Sequence, residues 1–237
     1  MELLETGASK LGIHLCESQL NQFRQYYRVL EHWNSRVNLT SVTGWRDVQK
    51  KHFLDSLSVK IAVPEGILES GRFIDIGSGG GFPGMPLKIA FPLSRATLID
   101  STAKKTAFLI HLKKILKLSN IDVLTNRAES LAHDLELRET FDLVLARGVA
   151  NMSTLAELTL PYCKTGGIVI AQKKIGVEEE IRQAQHAIET MGGILKEMRE
   201  IFLDDLRDYR CLVVLKKISP TPVRFPRRPG MPAKRPI

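Results

Sequence analysis

The sequence is poor in the residue patterns on which metal and disulfide sites depend. Its three cysteines, Cys16, Cys163 and Cys211, are odd in number and far apart, so neither a disulfide framework nor a CxxC-type zinc site is indicated. The six histidines show no metal-ligand spacing. We therefore predict that the protein binds no metal, and we expect it in the reducing environment of the cytoplasm.

Long apolar runs and targeting segments are also missing. No run approaches the roughly 18 apolar residues that a membrane-spanning helix needs. Residues 1–5 have neither the basic nor the apolar region of a signal peptide. We expect no contact with a membrane, and we expect a monomer whose 237 residues form one large domain with small extensions.

Acidic residues are absent from residues 219–237, which we call the tail. The tail holds six of the 11 prolines and five basic residues, so the rest of the chain carries only +3 of the net charge of +8. We expect an extended, solvent-exposed segment, either disordered or, as we favour, a stiff strap that binds RNA phosphates. The predicted RNA-binding residues are Arg224, Arg227, Arg228, Lys234 and Arg235.

The stretch that organises the chain is residues 73–84, where an apolar run with one acid, Asp75, leads into five glycines. This pattern predicts a buried strand that ends in a tight turn before a helix, because glycine permits positive φ and the close approach of a ligand. In a doubly wound sheet, such a turn is the floor of a nucleotide-shaped pocket.

The glycines are compatible with two ligands, and also with a turn that binds none. Residues 79–84 match the GxGxxG pattern of dinucleotide-binding proteins. Residues 77–81, led by Asp75, match the first motif of S-adenosylmethionine-dependent methyltransferases. Pro83 removes an amide that a diphosphate would use, and Asp75 suits a ligand with an ammonium and a sulfonium group. We favour the methyltransferase and keep an NAD-dependent oxidoreductase as an alternative.

From residue 71 onward, predicted strands alternate with helices, which indicates a parallel sheet covered on both faces. We predict an α/β, Rossmann-like class I methyltransferase fold with seven strands, closed by a C-terminal antiparallel hairpin. The methyltransferase domain spans residues 65–218, between an N-terminal helical extension (1–64) and the tail. The predicted strands lie at 72–76, 95–99, 121–125, 141–146, 167–172, 194–202 and 209–217, and the main helices at 18–33, 83–90, 102–118 and 177–190.

The N-terminal extension carries a second predicted helix, capped by Asp47 after a turn at residues 33–40. Its predicted buried residues are Phe53, Leu54, Leu57 and Ile61. His52 and Asp55 lie at i and i+3 on this helix and can bond to each other. We favour this local pair over a role of both residues in the pocket.

The ends of successive strands carry the candidate ligand-binding residues. These are Gly77, Gly79 and Phe82 after the first strand, Asp100 after the second, Ala128 and Glu129 after the third, and Arg147 after the fourth. Asp100 can accept ribose hydroxyls or cap the next helix. Glu129 suits an adenine amine, although a surface acid explains it equally well. Arg147 follows an apolar strand and needs an anionic or planar partner, which predicts a place in the pocket.

Missing motifs narrow the reaction. The turn after the fourth strand, residues 146–149, lacks the Asp/Asn-Pro-Pro-aromatic sequence typical of exocyclic amine methylation. No cysteine lies in a Pro-Cys turn that would activate a pyrimidine ring. Guanine N7 is an exposed acceptor with a free lone pair, so its methylation needs no general base. We therefore predict no catalytic side chain, and alignment of the reactants as the source of catalysis.

Taken together, these motifs resemble the RsmG (GidB) family of bacterial 16S rRNA guanine-N7 methyltransferases. The resemblance covers nearly the whole chain and is specific in its combination of segments. These segments are residues 33–40, 52–57, 73–84, 126–129, 147–150 and 225–230.

The resemblance implies S-adenosylmethionine as the cofactor and small-subunit rRNA, in the loop of helix 18, as the substrate. It also implies that Gly77, Phe82, Ala128, Glu129 and Arg147 contact the cofactor. A non-catalytic RNA-binding protein remains a third alternative. We expect that deletion of residues 222–237 weakens RNA binding and changes cofactor affinity little.

Overall fold

The computed structural model describes residues 1–202 and 210–237, which form seven strands and eleven α-helices together with short 3-10 and π segments. The strands are β1 (Arg72–Ile76), β2 (Arg95–Asp100), β3 (Ile121–Thr125), β4 (Phe141–Arg147), β5 (Cys163–Lys174), β6 (Gly193–Ile201) and β7 (Arg210–Lys217). The helices are α1 (Glu2–Lys10), α2 (Glu17–Val37), α3 (Trp45–Val48), α4 (Asp55–Leu57), α5 (Ile67–Ser70), α6 (Gly84–Ala90), α7 (Ala103–Ile115), α8 (Ala128–Leu131), α9 (Met152–Thr159), α10 (Glu178–Thr190) and α11 (Met231–Lys234).

All seven strands belong to one sheet with the order β3-β2-β1-β4-β5-β7-β6. The five strands β1 to β5 pair in parallel, whereas β7 runs antiparallel to both of its neighbours. The chain order reverses between β1 and β4, so the glycine turn after β1 lies at the switch point where doubly wound sheets bind ligands. The predicted fold class is confirmed.

The C-terminal hairpin is also confirmed, but the sequence alone did not indicate which of its strands is at the edge. All five residues from Cys211 to Leu215 on β7 are buried, whereas most of β6 is exposed. A strand covered on both faces belongs inside the sheet, and β7 accordingly lies between β5 and β6. The segment 203–209, which joins the two strands and includes the predicted strand start at residue 209, lies outside the described residues.

The N-terminal extension differs from the prediction in three places. Helix α1 was not predicted, and α2 continues through Trp33 and Asn34 to Val37, so the predicted turn starts too early. The helix ends at Asn38, whose φ of 51° is left-handed. Asp47 lies inside α3, whose N-cap is Gly44, so the predicted cap is wrong.

The second predicted helix changes its winding instead of continuing as a regular α-helix. A π-helix spans Gln49–Leu54 and carries His52, and a 3-10 helix spans Ser58–Ala62. These changes shift the phase of the buried face. Phe53, Leu54 and Leu57 are buried as predicted, but Ile61 is exposed.

Two hydrophobic clusters cover the two faces of the sheet. The first joins the N-terminal helices to the sheet, since Phe23, Tyr26 and Phe53 pack in one cluster with Phe73 of β1 and Leu98 of β2. The second joins α9 and α10 to the opposite face and includes a tail residue, Phe225. Both flanking segments therefore share a core with the sheet, and this fixes their position relative to the glycine turn.

Candidate functional site: two cavities joined at Gly77

The glycine turn is folded tightly over the end of β2. Three glycines of the motif, Gly77, Gly79 and Gly81, have positive φ of 71°, 54° and 92°. The amides of Gly77 and Ser78 both donate to the carbonyl of Ile99 at 2.9 Å. A Cβ at Gly77 would lie 2.8 Å from Val149 Cγ2. The backbone conformation and the close packing therefore both require glycine here.

Asp75 holds the turn together from below and lines neither of the cavities described next. Its side chain is fully buried, and Oδ2 accepts a hydrogen bond from the Gly84 amide at 3.0 Å. Oδ1 has no hydrogen-bond partner among the described residues. Burial raises the pKa of this carboxyl to about 7. The suggested pairing of Asp75 with an ammonium or sulfonium group does not fit this position.

Two cavities meet at Gly77. The smaller has a volume of about 200 Å³ and the larger about 640 Å³. The smaller cavity is lined from the strand ends by Gly77, Asp100, Ala128 and Glu129, and from the tail by Gly230, Pro232 and Ala233. The predicted residues after three different strands therefore converge at one place.

Asp100 accepts two backbone hydrogen bonds but is not the N-cap of α7, which is Thr102, and its contact with ribose hydroxyls stays a prediction. Its Oδ1 accepts from the Thr102 amide at 2.8 Å, just before α7, and its Oδ2 accepts from the Gly79 amide at 3.0 Å. The carboxylate thus joins the start of α7 to the glycine turn and also borders the smaller cavity. Each carboxylate oxygen can accept a second hydrogen bond, so capacity for ligand hydroxyls remains.

Glu129 is buried, so its interpretation as a surface acid is wrong. Its Oε1 accepts a hydrogen bond from the Gly230 amide at 2.8 Å. The neighbouring Ala128 is the first residue of α8, and its carbonyl accepts from the Tyr162 hydroxyl at 2.6 Å. The third strand end is thus fixed by one contact to the tail and one to the body of the domain.

The tail is packed against the domain, which contradicts the prediction that it is extended and solvent-exposed. Phe225, Pro226 and Pro232 are buried, and Arg227 pairs with the buried Glu157 of α9 at 2.7 Å. Proline and basic residues gave no indication of this packing. The sequence of α9 did contain an indication, because Glu157 is the single charged residue of this helix. A buried acid requires a basic partner, and the tail supplies one.

The predicted RNA-binding cations of the tail do not share one environment. Arg227 is occupied by Glu157, with its Nε, Nη2 and backbone amide all donating to that carboxylate. The guanidinium of Arg224 lies over the Phe225 ring at 5.1 Å. Arg224, Arg228, Lys234 and Arg235 are exposed and available to a partner.

The larger cavity lies between the glycine turn, the ends of β4 and β5 and the N-terminal extension. Its lining includes Gly79 and Phe82 of the turn and six cationic residues. The cationic residues are Lys51, Lys105, Arg147, Lys173, Lys174 and Arg210. Within residues 1–202 and 210–237, no carboxylate and no cysteine lines this cavity.

Arg147 is held in the larger cavity by partners from the N-terminal extension. Its Nη1 donates to Asp55 Oδ2 at 2.6 Å and to the Lys51 carbonyl at 3.2 Å. Its guanidinium carbon lies 5.1 Å from the centre of the Phe82 ring. The expectation of an anionic or planar partner was correct, since Arg147 has both. A contact of Arg147 with a cofactor stays a prediction.

His52 and Asp55 do not bond to each other, so the favoured local pair is wrong. Both bind Arg147, His52 through a 3.0 Å contact from Arg147 Nη2 to Nδ1. Nδ1 also lies 3.0 Å from the Lys51 carbonyl oxygen, and Nε2 lies 2.7 Å from Thr40 Oγ1. Burial and the nearby Arg147 charge lower the His52 pKa to about 3, so the ring is neutral.

Phe82 is the centre of an aromatic stack at the edge of the larger cavity. The His52 ring lies 4.3 Å from it at 21°, and the Tyr26 ring lies 5.4 Å away at 9°. The Tyr26 hydroxyl also donates to the Gly80 carbonyl at 2.5 Å. The N-terminal extension therefore positions the glycine turn directly, a contact that the sequence did not predict.

Comparisons with known sequences show the family, and comparisons with solved structures show the fold. A family model described as "rRNA small subunit methyltransferase G" (GidB) matches residues 19–205. Ribosomal RNA small subunit methyltransferase G of Dehalococcoides mccartyi strain CBDB1 is 48% identical over all of both chains. Aeropyrum pernix fibrillarin with bound S-adenosyl-L-methionine has a TM-score of 0.51 at 14% identity, with 65% of this chain and 70% of that chain covered.

A further solved structure, M. jannaschii TYW2 in complex with AdoMet, has a TM-score of 0.50 at 19% identity, with 63% of this chain and 70% of that chain covered.

Among the described residues, no helix combines the length and the apolar character that a membrane span requires. The same residues contain no cluster of three potential metal ligands. The matches confirm the predicted cofactor class, S-adenosylmethionine. The chain belongs to the GidB family, the rRNA small subunit methyltransferases G.

Proposed function

We propose that the protein transfers a methyl group from S-adenosylmethionine to N7 of a guanine in 16S rRNA, in the loop of helix 18. The observation that carries this proposal is the composition of the larger cavity. Its described lining has six cations, one neutral histidine and no carboxylate or thiol. Such a site suits a polyanionic substrate and an acceptor atom that is already nucleophilic.

The smaller cavity fits the adenosyl part of the cofactor. Asp100 offers acceptors for ribose hydroxyls, and Glu129 with the Ala128 backbone suits the edge of an adenine. Gly77, at the junction, leaves the space that a Cβ would fill 2.8 Å from Val149. Gly79, Phe82 and Arg147 then border the methionyl part in the larger cavity. When bound, S-adenosylmethionine supplies an electrophilic methyl group on a sulfonium.

No group in the larger cavity is free to act as a general base among the described residues. Both ring nitrogens of His52 are engaged, Nδ1 with Arg147 and Nε2 with Thr40. The closest carboxylate to the arginine is Asp55, which is paired with Arg147 and Arg210 and does not line the cavity. Methylation of N7 needs no proton to be removed, so positioning the reactants in line suffices. Orientation of this kind contributes about 7–11 kcal/mol.

Two groups of cations are proposed to bind the RNA backbone. Lys105 and Lys174 border the larger cavity and have no ion pair with any described residue. On the tail, the proposed contacts are Arg224, Arg228, Lys234 and Arg235, which are exposed. Arg227 belongs to the original prediction, but its pairing with Glu157 makes it the least available of the five. Each phosphate that these side chains neutralise releases counterions, so binding should weaken with salt.

A labelled-methyl assay tests the proposal. Small ribosomal subunits and naked 16S rRNA from cells that lack the protein are incubated with it and with methyl-labelled S-adenosylmethionine. We expect label on one guanine, located by mass spectrometry of nuclease fragments as 7-methylguanine in the helix 18 loop. Label on another atom or base would contradict the proposed specificity, and RNA binding without any label would favour the non-catalytic alternative.

A further inference from the structure

The last part of the tail forms one wall of the smaller cavity. Gly230, Pro232 and Ala233 line it together with residues after the strands. The Gly230 amide donates to Glu129 Oε1 at 2.8 Å, which orients the carboxylate that is proposed to face the adenine. A wall and an orienting donor thus come from a segment that is remote from every strand end in the sequence.

This wall is fixed to the domain by contacts that do not depend on a ligand. The Arg227 side chain and backbone amide bind Glu157 of α9 immediately before the wall. Within the wall, the Thr154 hydroxyl of α9 donates to the Pro232 carbonyl at 3.0 Å. Pro232 is itself buried. The position of residues 230–233 over the cavity is therefore defined by the packed structure.

We infer that residues 230–233 are part of the cofactor-binding site, and that they close the smaller cavity and hold Glu129 in the orientation that accepts the adenine amino group. The inference rests on the proposed function, because it takes the smaller cavity as the adenosyl site. It reverses the earlier expectation that loss of residues 222–237 leaves cofactor affinity little changed. The tail then contributes to cofactor affinity in the absence of any RNA.

The test measures S-adenosylmethionine binding by calorimetry, without RNA, in four proteins. The first is the full chain, and the second lacks residues 230–237 but keeps the Arg227 anchor. The third is Ala233→Trp, which puts a bulky ring at the cavity wall without shortening the chain. The control is Val223→Trp, which puts the same bulky ring at an exposed tail residue that does not line the cavity.

We expect about tenfold weaker binding or worse for the truncated protein and for Ala233→Trp, and less than about twofold change for the Val223→Trp control. Circular dichroism and thermal unfolding establish that each variant is folded. If truncation prevents folding, the full-length Ala233→Trp variant decides alone. Binding by Ala233→Trp within about twofold of the unmodified chain would overturn the inference. Failure of the unmodified chain to bind the cofactor would instead overturn the proposed function.

Discussion

The N-terminal extension and the C-terminal tail are built differently, yet each completes one of the two cavities. The extension contributes Thr40, Lys51 and His52 to the larger cavity, and the tail contributes residues 230–233 to the smaller one. Neither cavity is formed by the sheet and its strand ends alone. If the proposed function is correct, the predicted methyltransferase domain and its two flanking segments together form one binding site.

The two walls are held by different forces. The extension is anchored by burial of aromatic residues, including Phe23, Tyr26 and Phe53, in the main core. Besides the burial of Phe225, the tail is anchored by polar contacts to α9, which include the Arg227 and Glu157 pair and the Thr154 bond to Pro232. Apolar burial distributes stability over many atoms, whereas a polar anchor fails when one partner is removed. The tail wall should therefore be easier to detach than the extension.

The largest effect is expected at Gly77, where the two cavities meet. Gly77→Val forces a β-branched residue into φ of 71° and places its Cβ 2.8 Å from Val149. We expect loss of S-adenosylmethionine binding by about 100-fold or more, and loss of methyl transfer with it. Gly176→Val is the matched control, since Gly176 also has positive φ but no atom of the described residues within 4 Å of an added Cβ. If both variants lose S-adenosylmethionine binding equally, backbone strain alone explains the effect and the close contact with Val149 does not matter.

A smaller effect, specific to the tail wall, is expected from Arg227→Ala. The variant leaves Glu157, only 1% exposed, without its charged partner. Removal of one member of such a pair costs about 3 kcal/mol, which urea unfolding measures directly. Arg224→Ala is the control, because Arg224 is exposed and should change stability by less than about 0.5 kcal/mol. Similar unfolding midpoints for both variants would show that the tail is not anchored through this pair.

The pH dependence of Asp75 tests the turn between the two cavities. The folded-state pKa of about 7 lies above the unfolded value of 3.8, so the protein loses stability as pH rises from about 4 through 7. Asp75→Asn removes this titration and retains an acceptor for the Gly84 amide. Relative to the variant, the free energy of unfolding of the unmodified chain should fall by about 1.4 kcal/mol for each pH unit in that interval. Parallel stability curves at pH 4.5, 6 and 8 would refute the assignment.

The smallest effect is expected at the rim of the larger cavity. Lys105→Ala and Lys174→Ala each remove one proposed phosphate contact from a side chain without an ion pair to any described residue. Each should reduce the slope of log affinity for rRNA against log salt by about one and leave cofactor binding unchanged. Lys164→Ala is a comparison, because Lys164 pairs with Asp142 and lies outside this cavity. An unchanged slope in both rim variants would exclude them from the RNA contact.

The sheet and the strand-end residues were predictable because they depend on local patterns. Apolar runs of strand length, each followed by a helix, predict a parallel sheet whose strands all end at the same edge. This places Gly77, Asp100, Glu129 and Arg147 together without knowledge of how the side chains pack. The predicted bounds of β1 and β3 agree with the structure for the same reason. The partners of these side chains within the protein could not be predicted from the sequence, because Glu129 and Arg147 are bound by segments far away along the chain.

The missed features depend on tertiary contacts or on unusual winding. A π-helix has no local sequence signature, so the rotation that turns His52 toward Arg147 could not be read from a 3.6-residue period. The tail was misjudged because its proline and basic content is typical of disordered segments. Its packing depends on Phe225 and on the Arg227 pair with Glu157, and the lone acid in α9 was the one indication of that pair in the sequence.

The cationic lining of the larger cavity, as residues 1–202 and 210–237 form it, also has a practical consequence for work with the purified protein. Two of the six cations around this opening, Lys105 and Lys174, have no ion pair with a described residue, and they should attract free nucleotides, inorganic phosphate and fragments of nucleic acid. A preparation made at low ionic strength should therefore retain such molecules, visible as excess absorbance at 260 nm. Screens for inhibitors in phosphate buffer would underestimate affinity for the same reason, and a high-salt wash before ligand measurements removes both problems.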